Sequence, residues 1–283
     1  MTGDRQEVSQ ARFLFFYMGK QTINLEFGRQ AFGADPEAYH AARPAYPDWV
    51  FEILRSRCGL KHDTLTFEIG AGTGLATRRL LDFGANPLIA VEPDDRLAIF
   101  LRETNPDNAL SVIVSPFEDA ILPETNFDLG ISATAFHWLK EEPALTKVAK
   151  LLRPGGWWAM VWNEFGDPNR SDPFHEVTKV LLDGPYSPAA GGGLLPFSLD
   201  VKARLGALEG TGAFDVVEHR AEPWSLILDP DQIVALYATY SNINVRPDRD
   251  AVLAELGRIA RTEFNGCVTR NMITSLYIAR RRP

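Results

Sequence analysis

The sequence predicts an α/β protein in which helices cover both faces of a β-sheet, with a small cap beside the sheet. Three observations support this fold class. Between residues 64 and 163, apolar runs of strand length alternate with helical patterns, which is typical of a parallel sheet. The first run leads into three closely spaced glycines and then into a helical pattern that begins at Leu75. After residue 213, further strand-like runs enclose two more helical patterns.

The strand predictions rest on short apolar runs bounded by turn residues. In the first part of the chain they cover Thr64–Ile69, Leu88–Glu92, Leu110–Val114, Phe127–Ser132 and Trp157–Trp162. In the last part they cover Phe214–Arg220, Trp224–Leu228 and Met272–Ala279. Helices are expected from Pro47 onward and at Asp94–Glu103, Pro143–Leu152, Pro173–Leu182, Asp231–Tyr240 and Arg249–Phe264.

These elements divide the chain into four parts. An N-terminal arm covers residues 1–30, and the sheet-forming core covers residues 31–165. A stretch rich in proline and glycine, residues 166–212, is expected to form a lid or loop insertion. The last part, residues 213–283, is expected to complete the sheet and to carry inserted cap helices.

Composition excludes some partners and favours others. The 283 residues carry a net charge of −8, which argues against a general nucleic-acid groove, since such a groove needs a basic face. No apolar run approaches the ~18 residues of a membrane span. The two cysteines, Cys58 and Cys267, show no metal spacing and suggest a reducing, cytoplasmic environment. The expected partner is therefore a small molecule, with no nucleic acid, membrane or metal, bound by a monomer or homodimer.

The glycine turn indicates a nucleotide-like ligand. Strand, glycine turn and helix bring bare backbone close to such a ligand, and a Cβ at the turn would block the approach. A dinucleotide site has its third glycine three residues after the second, but here that position is Leu75. No Gly-Lys-Ser/Thr ending follows, as an NTPase phosphate loop requires. A tight turn that binds no ligand is the structural alternative.

Glu92 ends the second predicted strand, where a carboxylate can accept both hydroxyls of a ribose. NAD enzymes use the same arrangement, so Glu92 does not separate the two kinds of cofactor. Its alternative role is that of an exposed acid before the turn at Pro93.

Seven motifs in chain order resemble one family. The sequence contains Y-x-x-x-R-P-x-Y-P from Tyr39, E-I-G-A-G-T-G from Glu68, V-E-P-D from Val91, F-E-D from Phe117, A-F-H-W from Ala135, L-L-R-P-G-G from Leu151 and a strand ending at Trp162-Asn163. Together they resemble class I S-adenosylmethionine-dependent methyltransferases of the type 11 group, closely over residues 30–165 and loosely over 214–280. The resemblance implies a Rossmann-like, seven-stranded mixed sheet whose last strand is antiparallel. It also implies methyl transfer from S-adenosyl-L-methionine to a small molecule, with S-adenosyl-L-homocysteine as product.

The resemblance also implies roles for individual residues. Phe117 and Glu118 would hold the adenine, although Phe117 as core and Glu118 as a turn cap is the alternative. Arg43 is a candidate partner for the methionine carboxylate, with a helix-surface salt bridge as its alternative. The implied cofactor residues are Tyr39, Arg43, Glu68, Gly70, Ala71, Gly72, Thr73, Gly74, Glu92, Pro93, Phe117, Glu118, Ala133, Thr134 and Ala135. The implied substrate-pocket residues are Phe136, His137, Trp138, Trp162 and Asn163.

Methyl transfer by in-line displacement asks little of side chains, because position and exclusion of water supply much of the acceleration. A general base matters only for a protonated acceptor, and His137 is the best candidate for that role. Its alternative is a structural role, closing the pocket. Two other functions stay open, namely an NAD-dependent oxidoreductase and a non-catalytic cofactor-binding module of the same fold.

Overall fold

The computed structural model describes residues 22–191 and 195–283, and these residues form a seven-stranded mixed β-sheet. In chain order, the strands are β1 (Thr64–Ile69), β2 (Ala85–Glu92), β3 (Leu110–Val114), β4 (Phe127–Ala133), β5 (Leu152–Glu164), β6 (Phe214–Leu228) and β7 (Val268–Arg281). Their order across the sheet is β3-β2-β1-β4-β5-β7-β6. The first five strands run parallel, and β7 is antiparallel to both of its neighbours. The predicted fold class, including the antiparallel last strand, is confirmed.

The helices fall mostly where the apolar periodicity placed them. They are α1 (Leu25–Gln30), α2 (Pro36–Ala42), α3 (Asp48–Ser56), α4 (Leu75–Asp82), α5 (Asp95–Thr104), α6 (Glu141–Leu151), α7 (Pro173–Thr178), α8 (Val201–Gly210), α9 (Pro230–Tyr237), α10 (Ser241–Asn244) and α11 (Arg249–Thr262). None of these described helices is long and apolar enough to cross a membrane. Residues 1–21 of the predicted arm and residues 192–194 of the predicted lid lie outside the described residues.

The two faces of the sheet carry separate cores. On one face, Trp158, Met160 and Trp162 of β5 pack with residues of α6 and α8. On the other face, Ala159 and Val161 pack with residues of α3 and α4. Alternate residues of a strand point to opposite faces, so this partition follows directly from the sequence order within β5. Helices therefore cover both faces, as the parallel strands require.

The last part of the chain differs from the prediction in one respect. The two expected strands, Phe214–Arg220 and Trp224–Leu228, are a single strand, β6, which pairs with β7 along its length. Pro223 lies between the two predicted strands, and proline cannot donate to a β-ladder. It is tolerated here because β6 is an edge strand with only one hydrogen-bonded neighbour.

The cap has its own apolar core. Helices α9 and α11 pack against each other and against Phe174 of α7 through a cluster of fully buried side chains. The helix predicted at Pro173–Leu182 ends earlier, at Thr178. Asp229 is the N-cap residue of α9, and its side chain accepts hydrogen bonds from two backbone amides. The Gln232 side chain accepts in turn from the Asp229 backbone amide, which completes a capping box. The cap therefore stands on β6 and β7 beside the carboxyl end of the sheet.

Candidate functional site

A cavity of about 260 Å³ lies at the carboxyl ends of β1, β2 and β4, where ligands bind in open α/β sheets. Residues 70–73 and Glu92 form one side of it. The opposite side, here called the cap-side wall, consists of Ser187, Ala189, Tyr240, Ser241 and Asn242. All but four of the predicted site residues line this cavity. The four that do not are Gly74, Glu118, Phe136 and Trp162.

The three glycines of the turn are needed for different reasons. All have positive φ, at +68° for Gly70, +57° for Gly72 and +90° for Gly74. A Cβ on Gly70 would lie 2.4 Å from the Cβ of Ala135, and one on Gly74 would lie 2.5 Å from Leu101 Cδ1. A Cβ on Gly72 would meet no atom within 4 Å. Gly70 and Gly74 therefore permit close packing, whereas Gly72 leaves open space at the cavity for a ligand.

Glu92 holds the glycine turn in place. One carboxylate oxygen accepts a hydrogen bond from the Gly72 amide at 2.8 Å, and the other accepts from the Asp94 amide at 3.0 Å. The side chain is almost fully buried, and burial raises the pKa of Glu92 to about 7, although both amide bonds oppose the rise. A ligand with hydroxyl donors would favour the ionised form.

Glu68 presents an unpaired acceptor to the cavity. Thr77 donates to its Oε2 at 2.6 Å, while its Oε1 has no hydrogen-bond partner among the described residues. The side chain is fully buried, and this burial raises the pKa of Glu68 to about 8. Thr73 also lines the cavity, and its buried hydroxyl has no hydrogen-bond partner among the described residues. Because buried polar atoms are normally paired, this corner fits a ligand that donates hydrogen bonds or carries positive charge.

Arg43 supplies a positive charge on the N-terminal side of the cavity. Its guanidinium carbon lies 5.2 Å from the ring centres of Tyr39 and Tyr240 and 5.1 Å from that of Phe165. Its Nη2 donates to the Thr239 carbonyl at 2.9 Å, and its Nε is buried without a partner. Among the described residues, no carboxylate pairs with its guanidinium. The site therefore fits an anionic ligand group such as a carboxylate.

His137 lies in a short 3₁₀ helix, Phe136–Trp138, just after β4. Its Nδ1 accepts a hydrogen bond from the indole Nε1 of Trp162 at 3.0 Å. The ring is buried, and burial, helped by the nearby charge of Arg43, lowers the pKa of His137 to about 3. Trp162 does not line the cavity, and it contacts the site only through its hydrogen bond to His137.

Two residues expected in the pocket wall belong to the core instead. Phe136 packs on Trp158, and Trp162 packs between Phe197 and Tyr277. The alternation of β5 places Trp162 on the face covered by α6 and α8, away from the edge where the cavity opens.

Asn163 and Tyr46 fix the N-terminal segment over the sheet. The Asn163 side-chain amide donates to the carbonyls of Pro44 and Ala45 at 3.3 and 3.2 Å. The Tyr46 hydroxyl donates to Thr134 Oγ1 at 2.8 Å, and both residues line the cavity. Sequence reasoning missed Tyr46 as a site residue, although it is the second tyrosine of the Y-x-x-x-R-P-x-Y-P motif.

The loop after β3 forms the far end of the cavity. Phe117 is buried against Phe67, with the two rings parallel and their centres 6.5 Å apart. Lys147 donates to the carbonyls of Phe117, Glu118 and Ala120 at 2.6, 3.0 and 2.7 Å. Phe117 lines the cavity and Glu118 does not, so this loop offers backbone and one ring to a ligand. Gly74 caps α4 rather than facing the cavity.

Comparisons with known proteins agree with this geometry. A family model described as a methyltransferase domain matches residues 67–160. An uncharacterised methyltransferase-like protein of Schizosaccharomyces pombe is 30% identical over 240 residues, which cover 82% of this chain and 87% of that protein.

Two solved structures show the same fold. Phosphoethanolamine N-methyltransferase 2 of Haemonchus contortus, solved with S-adenosylhomocysteine, has a TM-score of 0.54 at 13% identity and covers 89% of this chain and 58% of that one. The [4+2]-cyclase SpnF has a TM-score of 0.54 at 12% identity over 93% and 99% of the two chains.

The sheet order, the glycine turn and the acidic residue that ends β2 define a class I, Rossmann-like enzyme that uses S-adenosyl-L-methionine. The chain belongs to the methyltransferase family whose domain model covers residues 67–160.

Proposed function

We propose that the protein transfers a methyl group from S-adenosyl-L-methionine to a small-molecule acceptor by in-line displacement. One observation carries the acceptor class: the glycine turn and the cap-side wall line the same cavity. A polymeric acceptor would need an open groove, whereas residues of the cap-side wall border this cavity. The net charge of −8 also disfavours a nucleic acid.

Different residues of the chain would bind different parts of the cofactor. Glu92 accepts from the ribose hydroxyls, and Phe117 with its backbone borders the adenine. Glu68, with its unpaired oxygen, receives the ammonium of the methionine part, and Arg43 receives the carboxylate. The assignments of Glu68 and Arg43 each meet a buried polar atom that lacks a partner among the described residues. The fit to the cofactor therefore rests on the donor set as well as on the motif order.

Bound in this cavity, S-adenosyl-L-methionine would supply a methyl group on a cationic sulfonium: the bond from acceptor to methyl carbon forms as the carbon–sulfur bond breaks, and S-adenosyl-L-homocysteine leaves with that electron pair on sulfur. The chain contributes orientation and exclusion of water. The aromatic rings around Arg43 and the cap-side wall line the cavity and would restrict the access of water to a bound cofactor. An N–H or O–H acceptor would lose its proton to bulk solvent, before it enters the cavity or after the product leaves.

Two alternatives are distinguished by the test. The comparisons give no support to an NAD-dependent oxidoreductase. A protein of this fold that catalyses a different reaction has a concrete precedent, because a neighbour of the same fold is a cyclase. Fold alone therefore does not establish methyl transfer.

The test has two stages. Calorimetric titration with S-adenosyl-L-methionine, S-adenosyl-L-homocysteine and NAD is expected to show binding of the first two only. A panel of small amines, phenols, carboxylic acids and thiols is then incubated with the labelled methyl donor, and transferred label is measured. Binding of NAD alone would refute the cofactor assignment. Cofactor binding with transfer only to a protein or RNA acceptor would refute the small-molecule proposal.

A further inference from the structure

We propose that Trp162 holds His137 in the tautomer with its proton on Nε2, so that His137 donates a hydrogen bond to the methyl acceptor and does not act as its general base. This inference rests on the proposed function, since it concerns the acceptor side of the same cavity.

The geometry leaves one arrangement of protons. An indole nitrogen can only donate, so the 3.0 Å contact from Trp162 Nε1 makes His137 Nδ1 an acceptor. A neutral imidazole with an unprotonated Nδ1 carries its proton on Nε2. The opposite tautomer would point two N–H groups at each other in a buried place and leave both donors without an acceptor.

The other neighbours of the ring cannot reverse this choice. His137 packs against the rings of Trp138 and Phe197, with centres 5.3 and 6.3 Å away. Arg43 is the charged group that acts on it, and a positive charge disfavours a second proton on the ring. Among the described residues, no carboxylate acts on the ring to stabilise an imidazolium.

The consequence for the reaction is a change of role. His137 lines the cavity, and Nδ1 is already engaged, so the nitrogen available to a ligand is Nε2 with its proton. A protonated nitrogen cannot remove a proton from the acceptor. It can orient an acceptor that presents a lone pair, such as a carbonyl, carboxylate or ether oxygen. His137 is thus a recognition residue for the acceptor, and Trp162 is the positioning residue behind it.

The tautomer is measured directly by ¹⁵N NMR of ligand-free protein labelled at histidine. The chain has five histidines, and the spectrum of His137→Gln identifies the resonance. In the wild type we expect Nδ1 to resonate as an unprotonated nitrogen and Nε2 as a protonated one. In Trp162→Phe we expect a detectable population with these shifts exchanged. An unprotonated Nε2 in the wild type would overturn the proposal, as would an unchanged pattern in a folded Trp162→Phe.

Trp158→Phe is the matched control. Trp158 lies on the same face of β5 and is equally buried, but its indole N–H has no partner among the described residues. This variant loses the same atoms without losing a hydrogen bond to His137. The wild-type tautomer is expected in it, and a shift equal to that of Trp162→Phe would assign the effect to core packing and overturn the proposal.

Two variants of His137 test its role without altering Trp162. Glutamine keeps an N–H donor, whereas leucine of similar size cannot donate, and neither is a base. With the panel member that the wild type methylates fastest, we expect kcat/KM of His137→Gln to exceed that of His137→Leu at least tenfold. Equal losses would overturn the donor role, as would a tenfold loss of S-adenosyl-L-homocysteine affinity in both variants. The two failures are distinguishable, because the tautomer is measured without ligand, whereas the proposed function fails only in the transfer screen.

Discussion

Replacing Gly72 with alanine separates the cofactor role of the glycine turn from its structural role. At φ +57° an alanine adopts the left-handed conformation, which costs about 1 kcal/mol, and its Cβ meets no neighbouring atom. Gly212 offers a matched control, since it has φ +66°, is equally open and lies outside the cavity. Both variants should therefore lose about 1 kcal/mol of unfolding free energy, or roughly 2 °C in Tm for a chain of this size.

The two variants should differ in binding. The new methyl group of Gly72→Ala enters the space where the backbone approaches the ligand, so we expect S-adenosyl-L-methionine affinity to fall at least tenfold, about 1.4 kcal/mol. Gly212→Ala should bind within twofold of the wild type. Calorimetric titration and urea unfolding of the three proteins give both quantities. Wild-type affinity in Gly72→Ala would refute the assignment of this turn as the floor of the cofactor site.

Two further predictions concern the charged groups of the cavity. Burial raises the pKa of Glu68 to about 8, so the folded protein holds a proton that the unfolded chain releases above about pH 4.5. The free energy of unfolding should therefore fall from pH 6 to 8. Cofactor affinity should rise over the same range, because Glu68 becomes ionised. Glu68→Gln should flatten both trends in urea unfolding and calorimetry, and unaltered slopes would contradict this role. Arg43→Gln should weaken S-adenosyl-L-methionine binding at least tenfold. Arg79→Gln is the control, because the Arg79 guanidinium also packs on two aromatic rings but pairs with Asp48 outside the cavity. This variant should bind S-adenosyl-L-methionine within twofold of the wild type. Equal losses of affinity in the two variants would exclude Arg43 from the cofactor site.

The features that sequence predicted best are local. The bounds of β1, Thr64–Ile69, and β3, Leu110–Val114, match the predicted runs, because turn residues bound each short run. The glycine turn was equally clear, since the need for positive φ restricts the residue type. Alternation along β5 also accounts for Trp158 and Trp162 lying on the same face of the sheet. In each case the cause acts within a few residues.

The features that sequence missed depend on contacts between distant segments. Alternation along β5 does not show that Trp162 stays outside the cavity wall and contacts the site only by donating its indole N–H to His137. The role of Tyr46 required the position of Thr134, 88 residues later in the chain. The unbroken course of β6 through Pro223 required knowing that β6 is an edge strand. Propensity and periodicity contain none of this information.

The N-terminal segment links the cofactor site to the cap. Asn163 binds the carbonyls of Pro44 and Ala45, which fixes the segment on β5, and Arg43 then donates to the Thr239 carbonyl at the base of the cap-side wall. The same guanidinium packs on Tyr240 of that wall and is the proposed partner of the methionine carboxylate. A change of acceptor that displaces the wall therefore also displaces a cofactor contact. If Arg43 has the proposed role, we expect cofactor affinity and acceptor choice to be coupled through it, and substitutions in the cap should alter both.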